Sequence, residues 1–428
     1  MCHGFSLAAL LQRAGIFYGW WVVFAVASIV FLSAGTFYYG FGLLVGPLTE
    51  EFGWSRAAIS AGFSLRTEVG GIAAPVVGFA VDRVGVRRLT ITGVVVVAAG
   101  FILLSQAQSL AAFYVAVVII AVGGSATGGA TGAVVISHWF QRLRGRALGL
   151  MTLGGGISGV TAVLFALLIS EYGWRNALVL AGTFQLLLCA PLAWTIRNRP
   201  LDLGLSPDGD ALPPPLAAGL PATAGESAMG MGSGQALRSS RFWRIALAFA
   251  LSNYATTAVI VHQVPFLTDN VGMSEGSAAA SLTAMTAISI AGRLGFGTAA
   301  DRHSKAAVAA AAFTCTAAGL LLLATVQEAW QLAYALPLFG LGFGGAVPLR
   351  SAIQAEYFGL RAFGAIQGLL LTITTVGAFA GPVLAGFLYD TTETYRPAFL
   401  LLAAGPALSV PLVLSTKRPS MEAAGRPS

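Results

Sequence analysis

Charge is the first thing this sequence lacks. Asp, Glu, Lys and Arg make up 10% of its 428 residues, against roughly a quarter in soluble chains, and that scarcity excludes a soluble globular protein. Cysteine is scarcer still: Cys2, Cys189 and Cys315 are odd in number and far apart, so the chain encodes neither a disulfide framework nor a metal knuckle. His3, His138, His262 and His303 are equally scattered, and no metal or cofactor is expected. Glycine clusters occur, Gly123-Gly124 and Gly154-Gly155-Gly156 among them, but none leads into Gly-Lys-Ser/Thr. A phosphate-binding loop and ATP-driven transport are therefore excluded. No nucleophile arrangement or paired carboxylates point to an enzyme. Disorder is excluded by 44 aromatic residues that must be buried.

What is present is apolar length. Hydrophobic residues account for 56% and the mean hydropathy is +0.79. A net charge of +7 would suit nucleic acid if the basic residues clustered on a folded surface. Here they lie between long apolar runs, so the expected partner is the lipid of a bilayer and not nucleic acid. A helix needs about 20 mostly apolar residues to cross the hydrocarbon core. That window predicts twelve spans: 18–46, 57–81, 89–105, 110–136, 146–169, 174–196, 242–268, 277–300, 306–325, 330–355, 362–388 and 397–415. Barrel strands, at about 9–11 residues each, are too short to account for them. The first span is too long for a signal-peptide core and is expected to stay attached.

Loop charge gives the orientation, since basic residues favour the cytoplasmic side. With a cytoplasmic N-terminus, 18 Lys and Arg residues fall in inside segments and only Arg56, Arg175 and Arg396 outside. Both termini are expected to be cytoplasmic in a multi-pass protein of the plasma membrane, the inner membrane of a bacterium. The longest polar stretch, with Pro213-Pro214-Pro215, has the composition of a flexible linker. It divides the chain into an N-terminal six-helix bundle (1–196), a cytoplasmic linker loop (197–240) and a C-terminal six-helix bundle with a short tail (241–428). After the second span of each half the same pattern recurs, Gly78-x3-Asp82-Arg83 and Gly297-x3-Asp301-Arg302, the mark of an internal repeat.

Six plus six helices, the long central loop and the G-x3-D-R-x-G-x-R-R element resemble the major facilitator superfamily of secondary transporters. Within it the chain is most similar to the monocarboxylate and oxalate/formate porters. The matching features are Gly19-Trp20-Trp21, Glu51-Phe52-Gly53-Trp54-Ser55-Arg56, Trp139-Phe140 with Arg144-Gly145-Arg146, and Gly292-Arg293. The resemblance implies an all-α integral membrane fold of twelve transmembrane helices in two pseudo-symmetric six-helix bundles. It also implies alternating access about a central site, with the Asp-Arg loops closing the cytoplasmic side. Asp82, Arg83, Arg87, Arg88, Asp301 and Arg302 are the gating candidates on that basis. Asp82, just before the third span, is read as a latch whose carboxylate can meet helix N-terminal N–H groups, and the arginines can pair with acidic groups or anionic lipid.

A charge at the bilayer centre costs on the order of 3 kcal/mol or more, which makes each intramembrane ionisable residue a functional candidate. Arg293 matches the arginine that binds the substrate carboxylate in monocarboxylate porters. A guanidinium fork can hold a carboxylate bidentately and keeps its proton. The alternative is an arginine with a structural pairing inside the bundle. Many animal members carry an aspartate one turn earlier, where this chain has Ser289, and a lysine in the first helix, where it has none. Arg66 and Glu68 lie two residues apart in the second span, roughly 200° around a helix, and should not pair directly. Glu68 is the candidate for proton exchange, because burial disfavours a charged carboxylate; an inter-helix ion pair is the other reading. His262, Asn253, Tyr38 and Tyr39 are candidates to contact substrate, and Arg350, near the cytoplasmic end of the tenth span, is a gating candidate.

The leading expectation is a monomeric, proton-coupled carrier of a small organic anion, a monocarboxylate. Exchange of the oxalate/formate type, carriage of another small organic solute, and a membrane receptor or sensor stand beside it.

Overall fold

The computed structural model describes residues 16–34, 36, 41–54, 56–209 and 230–416. Among these there is no strand, only an isolated bridge between Gly230 and Gly359. The helices of the first half are α1 (Tyr18–Ala34), α2 (Val45–Phe52), α3 (Arg56–Val84), α4 (Val86–Ser105), α5 (Leu110–Thr127), α6 (Gly129–Trp139), α7 (Arg144–Ile157) and α8 (Gly159–Thr195). A short α9 (Ser233–Arg238) precedes α10 (Ser240–Asp269), α11 (Glu275–Arg302), α12 (Lys305–Thr325), α13 (Leu332–Phe358), α14 (Phe363–Thr392) and α15 (Arg396–Leu414). The architecture is all-α, twelve transmembrane helices in two six-helix bundles. Eight segments among the described residues are long and apolar enough to cross a membrane. The segments that fall short have visible reasons: α1 is described only to Ala34, α3 carries Arg66 and Glu68, α7 gives way to α8 at Ser158, and α11 is rich in Gly, Ser and Ala.

Two boundaries differ from the hydropathy windows, and a third agrees with them. The window 18–46 holds α1, described to Ala34, and a 3-10 turn at Phe41–Leu44 before α2. The 110–136 window is broken at Gly128, which takes an extended conformation (φ −74°, ψ 174°) between α5 and α6. Apolar content alone cannot register that break, because a glycine pair lowers the cost of leaving the helix without changing hydropathy. Gly173, at φ 74° and ψ 159°, turns the corner inside α8 between the fifth and sixth spans, in the gap expected between 146–169 and 174–196. The polar stretch also begins in ordered form. Trp139 Nε1 donates to the Arg197 carbonyl at 2.9 Å, and the Asp208 carboxylate accepts the backbone N–H groups of Gln141 and Arg142 at 2.9 and 2.8 Å.

The described residues fall into two compact units. The first lies within Met1–Leu143, Leu150–Ala224 and Phe363–Gly368, and the second within Arg144–Gly149, Gly225–Ala362 and Leu369–Ser428. In the first, Phe41, Phe101, Phe113 and Trp174 pack in an apolar core. Two tryptophan motifs frame it. Trp20 packs against Phe140 in a tilted pair with ring centroids 4.7 Å apart, and Phe52 stacks on Trp54 at 4.5 Å. Gly154 faces the Ala27 carbonyl of α1, so this glycine serves close packing inside the first unit. In the second, Phe266, Phe339 and Phe399 anchor the core. Here α11 and α13 approach through Gly292 and Gly344, whose missing Cβ atoms would collide with the carbonyls of Leu341 and Ser289. Without an apolar driving force between helices in lipid, such close contact supplies the packing.

Candidate functional site

The α11–α13 seam positions the strongest candidate. With Gly292 pressed against α13, the next residue, Arg293, lies 9% exposed with its guanidinium carbon 6.0 Å from the Phe343 ring of α13. Two turns further along α13, Arg350 lines a cavity of about 130 Å³. Its polar walls are Ser252, Asn253 and Thr256 of α10 and Thr374 of α14, and Phe249 and Phe343 close the apolar side. Asn253 Nδ2 donates to the Thr374 carbonyl at 3.0 Å, tying α10 to α14. Arg350 Nη1 reaches Thr374 Oγ1 at 3.4 Å. The structure thus brings Asn253 and Arg350 together in one cavity and puts Arg293 against a residue that lines it.

The other candidates are distributed. His262 is half-buried at the α10–α14–α15 junction, with Nε2 3.0 Å from the Pro382 carbonyl and Nδ1 3.3 Å from the Tyr395 hydroxyl. Because a carbonyl only accepts, Nε2 is the donor and Nδ1 accepts from the tyrosine. Arg66 and Glu68 are half-buried on α3. Tyr38 and Tyr39 lie outside the described residues.

The repeated aspartates each hold a helix N-terminus. Asp82 Oδ1 and Oδ2 accept the backbone N–H groups of Gly364 and Ala365, both at 3.0 Å. Asp301 Oδ1 and Oδ2 accept those of Gly145 and Arg146 at 2.6 and 3.0 Å. The capped helices are α14 and α7, and in each case the first turn belongs to the same compact unit as its aspartate. The N–H groups expected from the adjacent third span come instead from a helix 282 residues away in sequence. A carboxylate suits this place because the first N–H groups of a helix have no partner within it and carry its positive partial charge. Asp82 is exposed as a residue, yet both its oxygens turn into that N-terminus. Desolvation pushes both carboxyls above the ordinary aspartate value, against the pull of two backbone donors at each. Around them Arg83, Arg88 and Arg302 are exposed, and Arg87 lies with its guanidinium 4.2 Å over the Trp194 ring.

Residue type marked Asp82 and Asp301, but nothing local pointed to Gly145, Gly364 or Ala365 as their donors, nor to Thr374, Ser252 and Phe343 as cavity walls. The signal for the walls was weak: hydroxyl residues at helical spacing on a span that also carries Asn253.

Comparison with known proteins places this geometry. The Major Facilitator Superfamily sequence pattern matches residues 26–262 and 245–427. The chain belongs to the Major Facilitator Superfamily. Its similarity to monocarboxylate transporter 11 of Mus musculus is 29% identity over 400 residues, 90% of this chain and 85% of the relative. Monocarboxylate transporter 13 of Bos taurus is 28% identical over 92% of this chain and 90% of its own length. The MFS-type transporter YcxA of Bacillus subtilis is 25% identical over 88% of this chain and 90% of that protein. Among solved structures, the human organic anion transporter MFSD10 superposes with a TM-score of 0.70 at 16% identity, covering 92% of this chain and 98% of that one. The Escherichia coli fucose:proton symporter FucP gives 0.69 at 17%, covering 93% and 98%. At such identity these structures bear on the fold alone. The chain is a multi-pass membrane transporter of a small solute and not an enzyme.

Proposed function

We propose that this transporter carries a small organic anion, a monocarboxylate, in symport with a proton by alternating access. The observation that carries the reading is Arg293, a guanidinium nine-tenths buried in a membrane helix and matched to the carboxylate-binding arginine of the monocarboxylate porters. The names of the relatives, monocarboxylate transporters over about nine-tenths of this chain, support the same substrate class. The fork of Arg293 suits a carboxylate.

In this reading Arg293 anchors the carboxylate, Asn253, His262, Tyr38 and Tyr39 contribute polar contacts, and Glu68, beside Arg66, exchanges the proton. Asp82 and Asp301 with Arg83, Arg87, Arg88 and Arg302 latch the cytoplasmic side, each aspartate by gripping a helix N-terminus in one conformation and releasing it in the other. The chain works as a monomer in two bundles, 1–196 and 241–428, joined by 197–240, with both termini cytoplasmic in the plasma membrane.

Uptake of labelled L-lactate into proteoliposomes tests the proposal. An inward proton gradient should accelerate uptake into vesicles holding no counter-anion. Uptake that ignores the gradient and requires internal oxalate or formate would replace symport with exchange, and no uptake of any carboxylate on a panel would end the monocarboxylate reading.

A further inference from the structure

Arg350 is buried in a different manner from the loop arginines. It projects from α13 beside the cavity of about 130 Å³ described above. Its Nε is buried and has no hydrogen-bond partner among the described residues. Nη1 has only the long contact of 3.4 Å to Thr374 Oγ1. That hydroxyl already donates to the Leu371 carbonyl at 2.8 Å, so it can face the guanidinium only as an acceptor. A guanidinium carries five donors, and no carboxylate of the described residues forms an ion pair with this one. Among the described residues nothing offsets its desolvation beyond the Thr374 hydroxyl, and the cavity beside it is a place where further acceptors can sit.

We infer that Arg350 is a second anion ligand of the transporter, and that the cavity between α10, α13 and α14 seats the carboxylate end of a short-chain monocarboxylate. The inference rests on the proposed monocarboxylate function and narrows it. Size sets the class. At about 30 Å³ per water, a cavity of about 130 Å³ has room for some four water-sized groups, enough for a carboxylate and a short chain. Pockets for drug-sized ligands run to roughly 300–1,000 Å³, so this one suits the small end of the organic acids. Chemistry sets the orientation. The Arg350 fork donates to one carboxylate oxygen and leaves the other to Arg293, the side chains of Ser252, Asn253, Thr256 and Thr374 offer polar partners, and Phe249 and Phe343 cover the alkyl part. Phe343 also links the two cations: its ring lines this cavity and lies 6.0 Å from the Arg293 guanidinium. Arg350, expected from sequence at the gate, thereby acquires a role in recognition.

The test is lactate uptake in proteoliposomes, read as KM, with melting temperature in detergent as the check on folding. Arg350→Gln should raise KM for lactate by ~10-fold or more, the scale of a lost charge-assisted bond, and Arg350→Lys should fall between it and the wild type. Ala346→Leu narrows the same cavity without touching a charge, and should raise KM more for butyrate than for acetate. Thr374→Val should raise KM modestly. An Arg350→Gln protein with wild-type melting temperature and wild-type KM overturns the inference. Should that variant fail to fold, unchanged KM in both Ala346→Leu and Thr374→Val overturns it instead. Sodium chloride that competes with lactate as strongly as acetate does would overturn the carboxylate assignment. Wild-type uptake with unaffected variants sinks this inference alone, whereas a wild type that moves no carboxylate removes the proposed function and this site with it.

Discussion

The two compact units share a fold and a capping motif but differ in the hollows they carry. The second holds a cavity of about 130 Å³ whose walls carry a guanidinium, an amide and three hydroxyls. The first carries an open groove of about 1040 Å³ with almost entirely apolar walls, more than half exposed at Phe24, Leu164 and Phe184 and joined by Phe31 and Leu168, relieved by Ser28, Thr36, Thr161 and Gln185. Gln185 Nε2 donates to Ser33 Oγ at 3.1 Å, and no charged residue lines this groove among the described residues. Volume is therefore a poor guide to anion chemistry here. Fixed donors in a low-dielectric setting are what an anion can use. On the proposed function, the recognition chemistry belongs to the second unit.

The sharpest way to break that contrast is at Arg293. Arg293→Gln should abolish carboxylate recognition while the protein still reaches the membrane folded, and Arg293→Lys, which keeps charge and loses the fork, should weaken binding markedly; equilibrium binding of labelled lactate to purified protein reads both. Next come the caps. Asp82→Asn keeps one acceptor of two, and loss of a helix cap typically costs about 0.5–2 kcal/mol, so it should slow transport more than it weakens lactate binding. Equal losses in both would remove Asp82 from the latch. A third comparison fills the groove and the cavity in turn. Leu168→Phe in the first unit should leave KM for lactate unchanged, in contrast to Ala346→Leu in the second.

The smallest effect concerns Glu51, which lines neither the groove nor the cavity. The Arg175 guanidinium, 2.6 Å away, and the Trp174 indole, 2.7 Å away, hold its carboxyl below the ordinary value of 4.5. A carboxylate held low in the folded state contributes stability in full above its ordinary value and loses it as pH falls through the lowered one. Glu51→Gln should therefore lower the melting temperature slightly at neutral pH, the pair being exposed. The gap should close as pH is taken below 4.5, and a gap that persists there would assign the effect to packing.

Much of this was written in the sequence, and the gaps have physical reasons. Twelve spans follow from apolar length, because a membrane helix satisfies its own backbone. The break at Gly128 did not, since it depends on backbone conformation and not on hydropathy. The repeated Asp-Arg element was legible through its two copies, but its partners were not: a helix N-terminus 282 residues away leaves no local trace at Asp82. Arg293 stood out as a charge in an apolar run. Arg350 stood out equally, yet its position near the end of a span suggested gating, and only the convergence of α10, α13 and α14 places it beside Asn253 and Thr374. Tyr38 and Tyr39 fall outside the described residues.

The central claim is recognition of an anion by fixed guanidinium charge, and competition between an acid and its neutral isostere tests it most directly. In proteoliposomes taking up labelled lactate, unlabelled lactate should compete fully and lactamide, equal in shape but uncharged, should compete weakly or not at all. Equal competition by the amide would show that charge is not what this transporter reads.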